Sequence, residues 1–471
     1  MIRRRLLSRL PAAPALQVEA AYCAAFALVV RLIVVVLSAG RFPPAEDGRF
    51  YHVVASRIAQ GDGYTWQWPD GVVTYAAHYP VGYPALVGLL YSVFGPHPWA
   101  AMLLNAVLGA LAVYWLFRVV AVSGSRRAAR YAAVALAVQP TLVAYTAALM
   151  TEGVAAALTV GACWLAVPQP GGARRGWRFA ALAALLGVCV LVRPQLLLLA
   201  PGLGWLHARW QGHSQVRALA GAALLSAGCL VVVAPWTVRN CYRMERCVLV
   251  SANKGWNLLI GTAVEGEGRW IAIEEVGVPP ECRTVYGEAD KDECFSRVAL
   301  ARIAAAPSEW LSLIPLKLTA TFDEVGAPGW YFATSSSGFT ESRRQLLAII
   351  EAAAQRGSLL VGLLVLAVRS RVRRLPRLAL AAVGVLVIWP AAWLSAVLLV
   401  ALAWARGGWR IPALGAAGLV ILTTAATHAI FFGAARYGMV VLPWLLAIPF
   451  AAWSMDESTL GGGESGAAPT G

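Results

Sequence analysis

Glu46 and Asp47 stand side by side in AEDGRFY, at the start of an aromatic, Gly- and Pro-rich stretch that continues through HYPVGYP. A carboxylate beside an apolar wall has its proton affinity tuned by that wall and can serve as a general base. The plainer reading is a pair of loop acids solvated at the surface. Arg49, Tyr51 and His78 close by supply the cations and hydrogen-bond donors that a phosphate leaving group needs. Glu152, in MTEG, is a third candidate acid: either a helix-start carboxylate favoured by the macrodipole or a functional group at membrane depth. Arg193 in VRPQ, Arg239 in PWTVRN and Arg436 in AARYG each fall at a predicted outer helix end. They either snorkel to the interface or converge on a phosphate. Asn253 and Lys254 in SANKGWNLLIG, with Trp256, suit a sugar or phosphate, and Tyr83 and Tyr437 complete the binding candidates. Arg31, inside the first apolar run, either pairs with a buried carboxylate or faces a cavity. No P-loop, dinucleotide fingerprint or metal-ligand spacing appears.

These residues must be positioned by elements that cross a bilayer. Of 471 residues 59% are hydrophobic and only 13% charged, against roughly 25% charged in soluble domains. The apolar runs recur at the spacing of spanning helices, and the fold class expected is an all-α polytopic membrane protein with about twelve spans. They fall at 20–40, 99–122, 131–149, 152–167, 179–192, 196–207, 218–236, 346–368, 378–390, 392–404, 411–430 and 439–453, with Pro140 kinking the third. The transmembrane domain therefore runs over 20–453. Within it lie a first loop at 41–98, carrying a surface helix around Val53, Val54 and Ile58, and a larger polar region at 237–344. Residues 1–19 form a cytoplasmic N-terminus and the polar, Gly-rich 454–471 a disordered tail.

The net charge of +15 does not point to nucleic acid, because the arginines sit in short connectors. The clusters at 3–5, 126–130, 174–178, 209–217, 369–377 and 406–410 mark the cytoplasmic side. This places the N-terminus inside and the first loop outside a plasma (inner) membrane. The acids agree: four fall between Glu46 and Asp70, fifteen between Glu245 and Glu351, and from Gly71 through Met244 the only one is Glu152. Cys23, Cys163, Cys189 and Cys229 lie in apolar runs, whereas Cys241, Cys247, Cys282 and Cys294 all fall in the second outer region. Two disulfides are expected there, most simply Cys241–Cys247 and Cys282–Cys294, with zinc ligation as the alternative.

The order DGRFY, IAQGDGY, HYPVGYPAL, SVFG, TEG, VRPQ, APWTVRN, SANKGWNLLIGT and FFGAARYGMVVLPWL resembles membrane-embedded glycosyltransferases of the GT-C type, especially glycosyltransferase family 39. The resemblance covers most of the chain except the tail and 269–295. It implies a polyprenyl-phosphate-linked sugar as donor, drawn from the membrane lipids of the outer leaflet, and an extracytoplasmic acceptor. Asp47 becomes the candidate base for an inverting displacement, with Glu46 and Glu152 as the other candidate acids. Relatives that transfer aminoarabinose or mannose often carry Lys or Arg before a Pro pair. Here AAHYP offers His78 and a single Pro80, which leaves Arg239 or Arg436 to hold the donor phosphate. No metal cofactor is expected, the alternative being a divalent cation held by Glu46 and Asp47. A transporter or flippase is the competing class, and another lipid-linked glycan enzyme a third.

Overall fold

The computed structural model describes residues 13–168, 175–369, 392–405 and 407–453. The predicted span at 378–390, the first twelve residues and the tail from 454 lie outside the described residues. Among those described there are nineteen α-helices and a single two-stranded hairpin. The chain is a multi-pass membrane protein. Five of its described helices are long and apolar enough to cross a bilayer: 15–38, 98–123, 215–243, 412–430 and 435–452, the last counted with its 3₁₀ start. Shorter apolar helices at Gly82–Phe94, Thr151–Ala166 and Gly176–Val192 pack among them. Among the described residues five helices have that length, while the expected spans at 152–167, 179–192 and 196–207 are shorter helices. An apolar run shows that a segment is buried, but half-length helices that end inside the bundle give the same signal.

The run 131–149 is not one kinked helix. The helix Arg126–Ala137 stops, Pro140–Ala144 makes a short turn, and a 3₁₀ turn covers Tyr145–Ala147. Pro140 has no N–H for the ladder and disfavours α geometry in the residue before it. Gln139 is accordingly extended, and its side chain accepts from Leu142 N. A break at this depth strands helix-end carbonyls. Arg31, buried on the first helix Ala13–Ser38, donates to Ala137 O at 3.1 Å and Leu136 O at 3.4 Å. A cation on the carbonyl end of a helix also opposes its dipole. Gly109 makes room, since a Cβ there would collide with the guanidinium. Arg31 therefore borders a cavity with Asn105 and Tyr145, and it donates to the backbone carbonyls of Ala27, Leu136 and Ala137.

The first loop is largely helical. Asp47–Gln60 forms the expected surface helix, closed by Gly61 at φ 89°. The hairpin Thr65–Gln67/Val73–Tyr75 follows, and then a second helix, Gly82–Phe94, which the sequence reading did not locate within the loop. The two loop helices pack on one another. The apolar face of Gly82–Phe94 (Tyr83, Val87 and Tyr91) is buried, which is why it reads as helix only once its partner is in place.

The region beyond the helix Gln215–Arg243 forms a small module with its own core of Leu259, Ile260, Cys282, Phe295 and Ala299. Its helices are Lys254–Ile260, Pro280–Arg283 and Glu288–Ala305. Both disulfides take the simplest pairing, Cys241–Cys247 and Cys282–Cys294, and the four remaining cysteines are buried and free.

Candidate active site

Asp47 is the first residue of its helix, where the positive end of the dipole favours a carboxylate. Its Oδ2 receives Arg436 Nη1 at 2.7 Å and its Oδ1 the Tyr79 hydroxyl at 2.7 Å. Burial pushes the Asp47 carboxyl up. The Arg436 charge, the Tyr79 and Arg436 hydrogen bonds and the nearby His78 outweigh burial and hold it below the usual aspartate value. Glu152, in the first turn of Thr151–Ala166 and only 2% exposed, binds Arg193 Nη1 at 2.9 Å and approaches Arg436 Nε at 3.7 Å. Its second oxygen accepts from the Tyr145 hydroxyl at 3.2 Å. Arg193 also donates to Thr151 Oγ1 at 3.0 Å.

Two carboxylates thus face two guanidiniums, with Arg436 shared between the acids. Tyr437 fixes both arginines in place. Its ring lies 5.0 Å from the Arg193 guanidinium and 5.1 Å from that of Arg436, and it stacks on His428 at 4.5 Å. The cluster is neutral as it stands, so an incoming phosphate must compete with a carboxylate for an arginine. It can hold an anion and accept a proton.

The aromatic floor comes from the loop. The Tyr79 ring packs on Phe50 at 4.7 Å, Tyr51 at 5.4 Å and His78 at 4.7 Å. His78 is further flanked by Trp256 at 5.2 Å. Burial drives its imidazole down to about 4, with Asp47 and a backbone contact at Ala252 only partly opposing it. His78 is therefore neutral near pH 7 and offers hydrogen bonds rather than charge.

Of the residues singled out from the sequence, Asp47, Glu152, Arg193, Arg436 and Tyr437 come together, with Tyr51 and His78 at the margin. Tyr83 is fully buried beneath Tyr51, and its hydroxyl faces Asn105 at 3.4 Å. Glu46 and Arg49 are exposed, and Glu46 holds an unusual φ of 50° just before the helix. Lys254 is exposed at the start of its helix, and Asn253 accepts from Ser251. Arg239 stands apart. Its guanidinium donates to Ala76 O at 2.8 Å, Tyr64 O at 2.9 Å and Asn240 Oδ1 at 2.9 Å, stitching the first loop to the helix Gln215–Arg243.

Sequence reasoning missed Tyr79 and Tyr145. Tyr79 lies inside HYPVGYP and was within reach of that motif. Tyr145 meets Glu152 only because the helix breaks before it, and nothing local announces that contact.

Gly48 is where the site tolerates no side chain. A Cβ there would sit 2.8 Å from the Tyr331 hydroxyl and 3.0 Å from Leu149 O. Gly48→Ala should displace the start of the Asp47 helix and destabilise the protein by about 1–3 kcal/mol. Turnover should fall with it, which thermal unfolding and a transfer assay on the same preparation would register.

Residues 78–238 match a family model described as dolichyl-phosphate-mannose-protein mannosyltransferase. No curated protein matches the chain. Among solved structures, an Archaeoglobus fulgidus oligosaccharyltransferase tethered with an acceptor peptide is 13% identical, with a TM-score of 0.45 over 91% of this chain and 49% of that one. The AglB oligosaccharyltransferase of the same organism, in complex with an inhibitory peptide and a dolichol-phosphate, is 14% identical, with a TM-score of 0.43 over 91% and 50%. ArnT from Cupriavidus metallidurans bound to undecaprenyl phosphate is 16% identical, with a TM-score of 0.39 over 91% and 76%. The chain spans about half the length of the archaeal enzymes. The class to which it is similar is that of GT-C membrane glycosyltransferases. The matched segment contains HYPVGYP, TEG, VRPQ and APWTV, so the resemblance read from those motifs is borne out by the family match.

Proposed function

We propose that this protein is a membrane glycosyltransferase that moves a sugar from a polyprenyl-phosphate donor to an acceptor hydroxyl outside the cytoplasm, with Asp47 as general base. The observation that carries this reading is the cluster in which Arg436 bridges Asp47 and Glu152 beside Arg193. The donor phosphodiester brings a second anion to Arg436 and draws the guanidinium from Asp47, and as the bond to the sugar breaks the departing phosphate gains a third terminal oxygen and a second negative charge for that fork to hold. Asp47 is then relieved of its partner and becomes a stronger base. The acceptor oxygen attacks the anomeric carbon and its proton passes to Asp47. The bond from that carbon to the phosphate oxygen breaks, and the electron pair leaves with the lipid phosphate, whose charge Arg436 and Arg193 neutralise. Glu152 keeps Arg193 in place and is not itself a proton carrier in this scheme. Positioning and two fixed cations suffice for a phosphate leaving group, so we propose a reaction without a metal. Charge placement supports a cytoplasmic N-terminus with the site on the opposite side of the membrane.

Incubating the purified protein with labelled polyprenyl-phosphate sugars and a panel of lipid, glycan and peptide acceptors tests the proposal. Transfer of label with release of polyprenyl phosphate is expected. Stable donor binding with no turnover on any acceptor would refute it in favour of transport.

A further inference from the structure

The peptide joining Ala76, Ala77 and His78 is held more tightly than an ordinary loop, and the hold comes from far along the chain. Glu288 Oε2 accepts from Ala77 N at 2.5 Å and from His78 N at 2.9 Å. The Ala77 carbonyl accepts from Ala252 N at 2.7 Å, and the Ala76 carbonyl from Arg239. Ala77 packs with Ala252 and Ala289 in a small cluster of its own. The next residue, Tyr79, is the one whose hydroxyl meets Asp47 at 2.7 Å.

Glu288 opens the helix Glu288–Ala305, and Asp292 stands four residues on, so the two carboxylates share a face. Asp292 Oδ1 accepts from Gly255 N at 2.7 Å and Trp256 N at 3.2 Å. Trp256 is the residue against His78, and a side chain at Gly255 would collide with the Asp292 backbone. One helix therefore grips both segments that flank His78. The same helix is fastened to the preceding turn by the bridge from Cys282 to its own Cys294. Two consecutive amides donate to one carboxylate oxygen, so this grip fixes the peptide plane and with it the direction of Tyr79.

We propose that Glu288 is a positioning residue for the reaction: from the disulfide-braced module it sets the 77–78 peptide, and through Tyr79 it orients Asp47. This rests on the glycosyltransferase reading for its catalytic consequence, but the grip itself does not. Asp47 turned away from the acceptor loses proton transfer, while Arg436 and Arg193 still hold the donor phosphate. The signature is a fall in kcat at constant donor KM.

The test compares Glu288→Ala, Glu288→Gln and Glu288→Asp with Arg246→Ala, which removes an exposed ion pair to Asp290 on the same helix. Glu288→Ala should lower kcat by about a hundredfold, the cost of a roughly 1 Å misplacement, with donor KM unchanged. Glu288→Gln presents an amide oxygen at the same reach and should restore most of the rate. Glu288→Asp, one methylene shorter, should fall between them and serves if the alanine variant does not accumulate. Arg246→Ala should turn over like wild type. Independently of activity, hydrogen exchange of the Ala77 and His78 amides should speed up in Glu288→Ala and Glu288→Asp but not in Arg246→Ala. Wild-type kcat in Glu288→Ala, an equal loss in Arg246→Ala, or unchanged exchange would each overturn the proposal. A wild-type protein that transfers no sugar while the exchange changes occur as expected would overturn the glycosyltransferase reading and leave the grip standing.

Discussion

Replacing Asp47 with asparagine should lower sugar transfer by about a thousandfold, the middle of the range that a positioned base contributes, while tightening donor binding. Both effects have one cause. Asparagine keeps the shape and can still accept from the Tyr79 hydroxyl, but it takes no proton from the acceptor and no longer holds Arg436 by charge. The freed guanidinium is then available to the donor phosphate. A merely structural Asp47 would give the opposite pairing, with weaker donor binding and a rate that follows it. Single-turnover transfer and equilibrium binding of labelled donor separate the two outcomes, and turnover that survives the substitution would sink the assignment.

The pH dependence follows from the same contacts. Although burial raises the Asp47 carboxyl, Arg436 and Tyr79 bring it below the ordinary aspartate value. The free enzyme's base therefore stays ionised to lower pH than an isolated aspartate, and the acid limb of kcat/KM should lie below about pH 3.9. The acid limb of kcat, measured with donor bound, should lie higher, because phosphate has taken Arg436 away. For stability the sign is that of a depressed acid. The Asp47 contribution is present above its unfolded value and is lost as pH falls through the lower folded value. Asp47→Asn should flatten that acid-side loss.

Arg436→Met should be the most damaging single change in the site. It removes the cation from Asp47 and the second cation from Glu152, each 22% or less exposed, while Arg193 remains on Glu152. Breaking a buried pair from one side costs about 3–5 kcal/mol, because the surviving charge stays desolvated. Donor affinity should fall by about ten- to a hundredfold, the value of one charge-assisted hydrogen bond of roughly 1.5–3 kcal/mol. Arg436→Lys should recover little of this, since a point-like ammonium cannot reach two carboxylates and lie against Tyr437 as the planar fork does. Thermal unfolding alongside donor titration reads both effects, and unaltered donor affinity in Arg436→Met would exclude Arg436 as the phosphate ligand.

How much of this was legible in the sequence varies by residue for physical reasons. Asp47, Glu152, Arg193 and Arg436 each announce themselves, because an ionisable group at the end of an apolar run is costly and therefore rare. Their pairing does not, since it depends on how helices pack. Arg239 looks the same as Arg436 in sequence, yet its donors go to the Tyr64 and Ala76 carbonyls. The proline at 140 reads as a kink, but whether a helix bends or stops there depends on a partner for the freed carbonyls, and Arg31 is that partner. Glu288 carries no local mark at all: it reaches a peptide 211 positions earlier, in a region where acids are common and mostly exposed. The cysteine pairing was legible because short spacings leave few choices, whereas an apolar run does not tell a full-length span from a half-length helix such as Thr151–Ala166.

Asp47 and Arg436 are separated by 389 positions, and this has a consequence for biosynthesis. The loop leaves the ribosome 389 residues ahead of the arginine. Until the segment carrying Arg436 is inserted, Asp47 lacks its counter-charge and Glu152 lacks one of its two. A nascent or prematurely terminated chain thus has the first loop and Arg193 in the membrane but lacks the guanidinium that Asp47 and Glu152 share. The second cation of the cluster is therefore supplied only once residues 435–441 are in place, and a chain stopped before them has the loop without the pairing that sets it.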